Sequence, residues 1–478
     1  MNFPEEVKKI QLSSPLEKIN IVKDIYQTYS LENILQELEK LDSVNKQLLA
    51  KYFYEIDFPE KHITEIKNLG IFYYRIFNGG IERLISLHTH LFLEMGYNIT
   101  VFVEERDLEK EYNIPENVKI IEIPKDYKNN RATIWQKELN QNNIDILIYH
   151  ASSGELFLED VILLRSLGVK VIAMEHSNKL APLVSPHLLA YRDNTQIMRL
   201  CQSVVVLDSS SEWFYKQIGV SAFYIPNSVP KIDNLIVNKN KEDIIIWVGR
   251  IDSAKNYYDA LDIMREVLEK RPQAKAFIIG KADAKKHQRY ITRYIKAYKL
   301  KGKLIWQDYL PDVSEYYKKA KVFLFTSIME GWGLVLAESK LYGIPLVMMD
   351  LPYLELTKNQ QGIKSIPAHN IQAGVQAVLD ILEDEKLYNQ LSEEAYNSIL
   401  PFIEYNQKEA WQNVFNASIN YKKISLCDEE NKALLFWETL VQNYREGKYR
   451  RDLSRKILRT IKLYQQSVLT LFRFRIKK

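Results

Sequence analysis

Apolar positions recur at three- and four-residue intervals near the start of the chain, as in Leu31-Glu-Asn-Ile-Leu-Gln-Glu-Leu-Glu-Lys-Leu41, and no glycine occurs before Gly70. That is the period of helices with one buried face. Residues 1–65 therefore read as a helical N-terminal extension, either a packing cap or a partner-binding element. From Gly70 the rhythm shortens. Nearly continuous apolar runs appear at Ile71-Phe-Tyr-Tyr, Ile99–Val103, Val118–Ile123, Asp145–Ile148, Val169–Met174, Ser203–Leu207 and Phe223–Ile225, with an amphipathic helix at Ile81–Met95. The alternation restarts at Asp243–Gly249 and continues through Ala274–Ile279, Leu304–Trp306, Val322–Phe325 and Pro345–Met348. Strands this apolar, separated by helices, predict parallel sheets covered on both faces. The polar stretch Pro230–Lys241 reads as a linker. Two doubly wound α/β domains, 66–235 and 236–420, follow, the second closing with helices near 371–384, 387–400 and 405–420. Residues 421–478 form a last helical region.

Composition narrows the class. In 478 residues, 46% are apolar and 26% charged, the balance of a globular protein. No apolar run approaches the ~20 residues of a membrane span, and Met1–Ile10 lacks the apolar core of a signal peptide. Cys201 and Cys427 are the only cysteines, too few for a disulfide framework or a Cys/His zinc cluster. A cytoplasmic location is expected. The net charge of +4 is uneven: Arg445–Lys478 holds 12 Lys+Arg against 2 Asp+Glu, so the body before it is acidic. No nucleic-acid partner is indicated. In the tail, Leu453, Ile457, Ile461, Tyr464, Val468 and Leu471 share a stripe that Arg451, Arg455, Arg459, Lys462 and Arg473 largely avoid. Such a helix suits the surface of an anionic membrane, here the inner face. It suits equally a helix packed on the protein with a solvated basic side.

Candidate chemistry centres on Glu330-Gly-Trp-Gly-Leu-Val-Leu-Ala-Glu338, which follows a strand and opens a helix. Gly331 and Gly333 allow close approach of backbone to a ligand, and amides at Gly333, Leu334 and Val335 can hold an anion. Glu338, inside the helix, can reach hydroxyls such as those of a ribose, while Glu330 faces the ligand's other end. Gly249-Arg250-Ile-Asp-Ser-Ala-Lys255 ends the first strand of the second domain, so Arg250 and Lys255 lie at the carboxyl edge of the sheet, suited to a diphosphate. Asn78-Gly79-Gly80-Ile-Glu-Arg83 follows the first strand of the first domain, and its glycines permit a close approach to phosphates.

Together with Pro226-Asn227-Ser228-Val229, these motifs resemble the retaining glycosyltransferases of family 4 over about Leu69–Ser418. The resemblance implies a GT-B architecture, two facing Rossmann-like domains with the nucleotide-sugar held mainly by the second. It also implies a segment near 404–417 that crosses back onto the first domain. It gives Glu330 the donor sugar's hydroxyls, Glu338 the ribose, Arg250 and Lys255 the diphosphate, and Gly80 a place beside the reaction centre. His176, in Val171-Ile-Ala-Met-Glu-His, would touch the sugar near the transferred carbon; His150 is a second candidate. The remaining histidines read as structural, His88 as a packed core residue. Asn227-Ser228-Val229 departs from the more usual Asn-Gly-Val, and Trp332 replaces Phe between the two glycines.

No Asp-x-Asp occurs, so no metal and no other cofactor is expected, the cations and helix start neutralising the diphosphate instead. The implied reaction moves a hexosyl or N-acetylhexosaminyl group, with retention, from a nucleoside diphosphate sugar (UDP-sugar favoured) to a glycan or lipid-linked acceptor. Surface polysaccharide or glycoconjugate assembly is the expected setting. A sugar-nucleotide epimerase or hydrolase, or a non-catalytic partner subunit, are the alternatives.

Overall fold

The computed structural model describes residues 15–77, 79–107, 112–179, 194–231 and 241–424, together with Lys432, Leu434, Phe436 and Trp437. Asn78, most of the expected linker and the basic tail lie outside the described residues.

The chain divides into two compact units. The first contains the residues up to Ser177, 194–228 and 406–424. Its sheet has seven strands, β1 Asn68–Phe72, β2 Asn98–Val103, β3 Lys119–Glu122, β4 Ile146–Tyr149, β5 Lys170–Met174, β6 Ser203–Val206 and β7 Ala222–Tyr224. They lie in the order β3-β2-β1-β4-β5-β6-β7. Neighbours are parallel throughout, Leu69 facing Ile99 on one side and Ile146 on the other. The order reverses between β1 and β4. Strands β4, β5 and β6 are wholly buried, which is why they read as unbroken apolar runs. Strand β1 starts at Asn68, three residues before the apolar run read from the sequence. Its polar start is stabilised by the Asp145 carboxylate, which accepts from the Lys67 and Asn68 amides at 3.0 Å each.

Three helices, Pro15–Thr28, Leu31–Glu39 and Ser43–Phe53, make the N-terminal extension. Ser30 and Asp42 cap the second and third, accepting from the Asn33 and Asn45 amides. The extension packs on the first sheet's helices. Tyr26 bonds Ser166 at 2.8 Å. Lys46 donates to the Glu155 carbonyl at 2.7 Å and pairs with Glu159, a carboxylate that burial raises to about 7.

The helix Gln407–Ile419, placed within 236–420 by the sequence reading and carried back onto the first domain by the resemblance, groups with the first unit. Its Trp411, Val414 and Phe415 are buried in the first unit, with Trp411 5.0 Å from His88 and from Phe92 between ring centres. Ser418 donates to Ser203 at 2.8 Å. An apolar face is buried wherever a complementary one lies, and here that is the first unit. Trp437 also reaches this unit, 4.9 Å from Phe214.

The second unit includes 241–405. Its strands are β8 Glu242–Val248, β9 Lys275–Ile279, β10 Leu304–Gln307, β11 Ala320–Phe325, β12 Leu346–Met349 and β13 Ile363–Ile366. The order is β10-β9-β8-β11-β12-β13, all parallel, reversing between β8 and β11. Ile245, Trp247, Ile278, Val322 and Leu324 join the helices Tyr257–Lys270 and Ile371–Glu383 in one core. Strand β13 has no counterpart in the sequence reading. It is an edge strand, Ile-Lys-Ser-Ile, whose two central residues are not buried, so its apolar run is too short to stand out.

Candidate functional site

In open parallel sheets, ligands bind at the carboxyl ends of the strands where the strand order reverses. In the second unit that point lies between β8 and β11, and the candidate residues stand on its two sides. Arg250 and Lys255 follow β8; Glu330 follows β11. The Lys255 ammonium forms an ion pair with the Glu330 carboxylate, both largely shielded from solvent. Arg250, more exposed, donates from Nε to Asp252 at 2.5 Å. The buried Asp252 also accepts from the Lys255 amide at 2.8 Å. One aspartate thus positions both cations.

The two loops are buckled together. Thr326 Oγ1 accepts from the Trp247 indole at 3.0 Å and lies 3.0 Å from the Asn256 carbonyl, to which its proton can go. The Ile328 amide donates to the Ala254 carbonyl at 3.1 Å. Behind Glu330, whose amide donates to the Tyr353 hydroxyl at 3.1 Å, Trp332 is buried edge-on to Phe402. Gly333 has φ +87° at the start of the helix Leu334–Leu341, and a Cβ there would lie 2.8 Å from Leu336 Cδ1. Both the angle and the space demand glycine. The amides of Leu334 and Val335 therefore stand at a helix start, where the backbone dipole favours an anion. Glu338, one turn further, accepts from Tyr317 at 2.9 Å.

In the first unit the reversal lies between β1 and β4. The loop after β1 leads to Gly79 and the helix Gly80–Glu94. A Cβ on Gly79 would lie 2.0 Å from Glu82 Oε2. Glu82 folds back over its own helix start and accepts from Arg75 Nε at 3.1 Å, so Gly79 makes room for a carboxylate of the chain itself. His150 follows β4 directly and His176 follows β5. Their rings lie edge to edge within 18° of parallel, centres 5.1 Å apart, and His150 Nδ1 lies 3.0 Å from His176 Nε2. Loss of hydration holds His176 at about 3, and the same cause, with the neighbouring His176 charge, holds His88 at about 3 and His150 well below the usual imidazole value. All three are neutral near pH 7. Asn227 is buried, next to Pro226, whose carbonyl accepts from Gln407 at 2.8 Å.

Sequence reasoning missed Asp252, Thr326 and Tyr317. Asp252 carried a signal, an aspartate three residues before the amide it accepts, as in turns where a side chain replaces a backbone acceptor. Tyr317 carried none, because 21 residues separate it from Glu338. Among the described residues, no group of three or more His, Cys, Asp or Glu is placed to hold a metal ion. Nor is any helix among them long and apolar enough to cross a membrane.

Residues 229–398, which contain the Arg250, Lys255, Glu330 and Glu338 set, match the family Glycosyl transferases group 1. Over those residues the chain is similar to the group 1 glycosyl transferases. It is 26% identical over 204 residues to the poly(glycerol-phosphate) alpha-glucosyltransferase of Bacillus subtilis, 42% of this chain and 30% of that protein. It therefore spans under a third of that relative's length. It is 25% identical over 290 residues to the amylovoran biosynthesis glycosyltransferase AmsD of Erwinia amylovora, 57% of this chain and 78% of that one. A TarM variant from S. aureus, solved in complex with fondaparinux, alpha-GlcNAc-glycerol and UDP, superposes with a TM-score of 0.61 at 12% identity, covering 74% of this chain and 99% of that one. The chain thus has the GT-B fold, two Rossmann-like parallel sheets with helical additions.

Proposed function

We propose that the chain transfers a hexosyl or N-acetylhexosaminyl group from a nucleoside diphosphate sugar, a UDP-sugar by preference, to an acceptor hydroxyl, with retention at the transferred carbon. The observation that carries this reading is the set gathered at the strand-order reversal of the second unit: Lys255 paired with Glu330, Arg250 set by Asp252, and a helix start at Gly333. Negative charge grows on the leaving diphosphate as the sugar departs. Fixed cations and backbone amides aimed at that charge stabilise the transition state more than the ground state. Glu330 and Glu338 supply acceptors for hydroxyls at the two ends of such a donor. No metal is required in this scheme. UDP in the S. aureus TarM complex and the polymer-directed names of the curated relatives support the donor class and a polysaccharide or glycoconjugate acceptor.

A thermal-shift panel of UDP, GDP, ADP and their sugar conjugates tests the donor site. A ligand at 100 times its Kd stabilises by about 2.7 kcal/mol, a rise of several degrees. One nucleotide should give that rise, and Glu338→Ala should reduce or abolish it. No rise with any nucleotide would favour a non-catalytic subunit instead.

The acceptor is proposed to be membrane-proximal because of the basic stripe in Arg445–Lys478. Deleting residues 444–478 should release the protein from phosphatidylglycerol vesicles in a flotation assay. Equal binding by the truncated chain would refute the tail's role.

A further inference from the structure

The pair formed by His150 and His176 contains more information than its position at the carboxyl edge. A neutral imidazole carries one N–H and one lone pair, and the hydrogen bond at one nitrogen decides the state of the other. His150 Nε2 is buried and has no hydrogen-bond partner, while His150 Nδ1 lies 3.0 Å from His176 Nε2. A buried, unpartnered N–H costs more than a buried, unpartnered lone pair. The His150 proton therefore sits on Nδ1 and is donated to His176 Nε2. His176 must then carry its own proton on Nδ1. That nitrogen makes no hydrogen bond among the described residues, and His176 is only partly buried.

The surroundings favour the arrangement. His88 closes the far side of His150, ring centres 5.6 Å apart, with Phe92 and Trp411 around His88. His88 is itself an imidazole whose buried Nδ1 has no hydrogen-bond partner, so it takes no proton from His150 Nε2, and the hydrogen bond of His150 among the described residues is the one at Nδ1. With the two rings within 18° of parallel, the His150 N–H lies close to the plane of the His176 ring and meets the Nε2 lone pair edge-on.

We infer that His150 is a positioning residue that locks His176 in its Nδ1–H tautomer, so that the first unit offers a sugar hydroxyl oxygen a neutral donor. The inference about the ligand rests on the transferase reading above; the tautomer does not. His176 in this state stabilises by a hydrogen bond and is not the general acid of the reaction.

The experiment uses the full chain with 15N-labelled histidine and long-range proton–nitrogen correlation spectra at pH 7.5, assigned with His176→Gln. The expected spectrum shows His176 protonated at Nδ1. His150→Asn keeps a donor near the Nδ1 position and should preserve that signature. His150→Phe keeps an aromatic ring at this place, removes the donor and should abolish the signature. Loss of one neutral hydrogen bond should lower kcat of His150→Phe about tenfold, with His150→Asn near the parent. A His176 protonated at Nε2 in the parent, or unchanged in His150→Phe, overturns the assignment. If His150→Phe does not fold, the parent and His150→Asn spectra decide alone. A correct tautomer in a chain that transfers no sugar refutes the transferase reading and leaves the His150 assignment standing.

Discussion

Lys255→Ala should lower kcat by about 10²–10³, as loss of one donor aimed at developing charge commonly does, while the protein stays folded. The side chain stands at the carboxyl end of β8 and pairs with Glu330 from the far side of the strand-order reversal. Its removal has two consequences at this place. The leaving diphosphate loses a cation, and Glu330, only 13% exposed in its side chain, is left as an unpaired negative charge. The second consequence makes the residues non-additive. Glu330→Gln on the Lys255→Ala background should restore part of the nucleotide affinity without restoring kcat, because the repulsion is gone and the donor is still missing. Steady-state kinetics with the donor identified by thermal shift, on both single variants and the double, separate the two effects. Near-parental turnover in Lys255→Ala would remove this lysine from the mechanism.

Asp160→Ala should destabilise the first unit by about 3–5 kcal/mol, the usual result of removing one partner of a buried ion pair. Asp160 and Arg131 have wholly buried side chains. Arg131 donates to the two Asp160 oxygens at 2.9 and 2.5 Å, to Glu104 at 2.7 Å and to the Pro124 carbonyl at 2.5 Å. Tyr127 and Tyr149 donate their hydroxyls to Asp160 at 2.7 Å each. Without the carboxylate, two buried hydroxyls lose this partner and the buried guanidinium is left with Glu104 and the Pro124 carbonyl. The midpoint of thermal unfolding should fall on the order of 10 °C. Replacing the pair by Arg131→Met with Asp160→Leu should recover only the part of the loss that lies in the guanidinium, because the Tyr127 and Tyr149 hydroxyls stay unpartnered and Glu104 and the Pro124 carbonyl lose Arg131. Calorimetry on the single and double variants checks both statements. Tyr149 is the last residue of β4 and His150 the next, so this network also anchors the base of the histidine pair.

How far the site could be read from the chain differs from residue to residue. Gly333 was legible as a glycine in a strand-to-helix turn, read as a close approach of backbone to a ligand; that its φ of +87° calls for glycine was visible only in the fold. Arg250 and Lys255 were legible because cations placed after a strand of a parallel sheet lie at its carboxyl edge. The reason for Gly79 was not: its space is filled by Glu82, a residue three positions on, and nothing in the spacing tells a ligand's oxygen from the chain's own. The helix Gln407–Ile419 shows the same limit in packing. Its period announced a buried face; only the family resemblance, not the spacing, pointed to the first unit, whose partners lie more than 200 residues away.

By itself, the sequence determined the two parallel sheets, the helical extension before them and the identity of the charged loops, because hydrophobic period, turn residues and caps act over a few neighbouring positions. The tertiary structure alone decided which carboxylate holds which cation, that His150 and His176 share a hydrogen bond, and that Asp160 accepts four hydrogen bonds from three side chains. Those pairings depend on strand order. Parallel strands take neighbours from distant parts of the chain, and only the folded sheet brings such loops within the 3 Å over which a hydrogen bond acts.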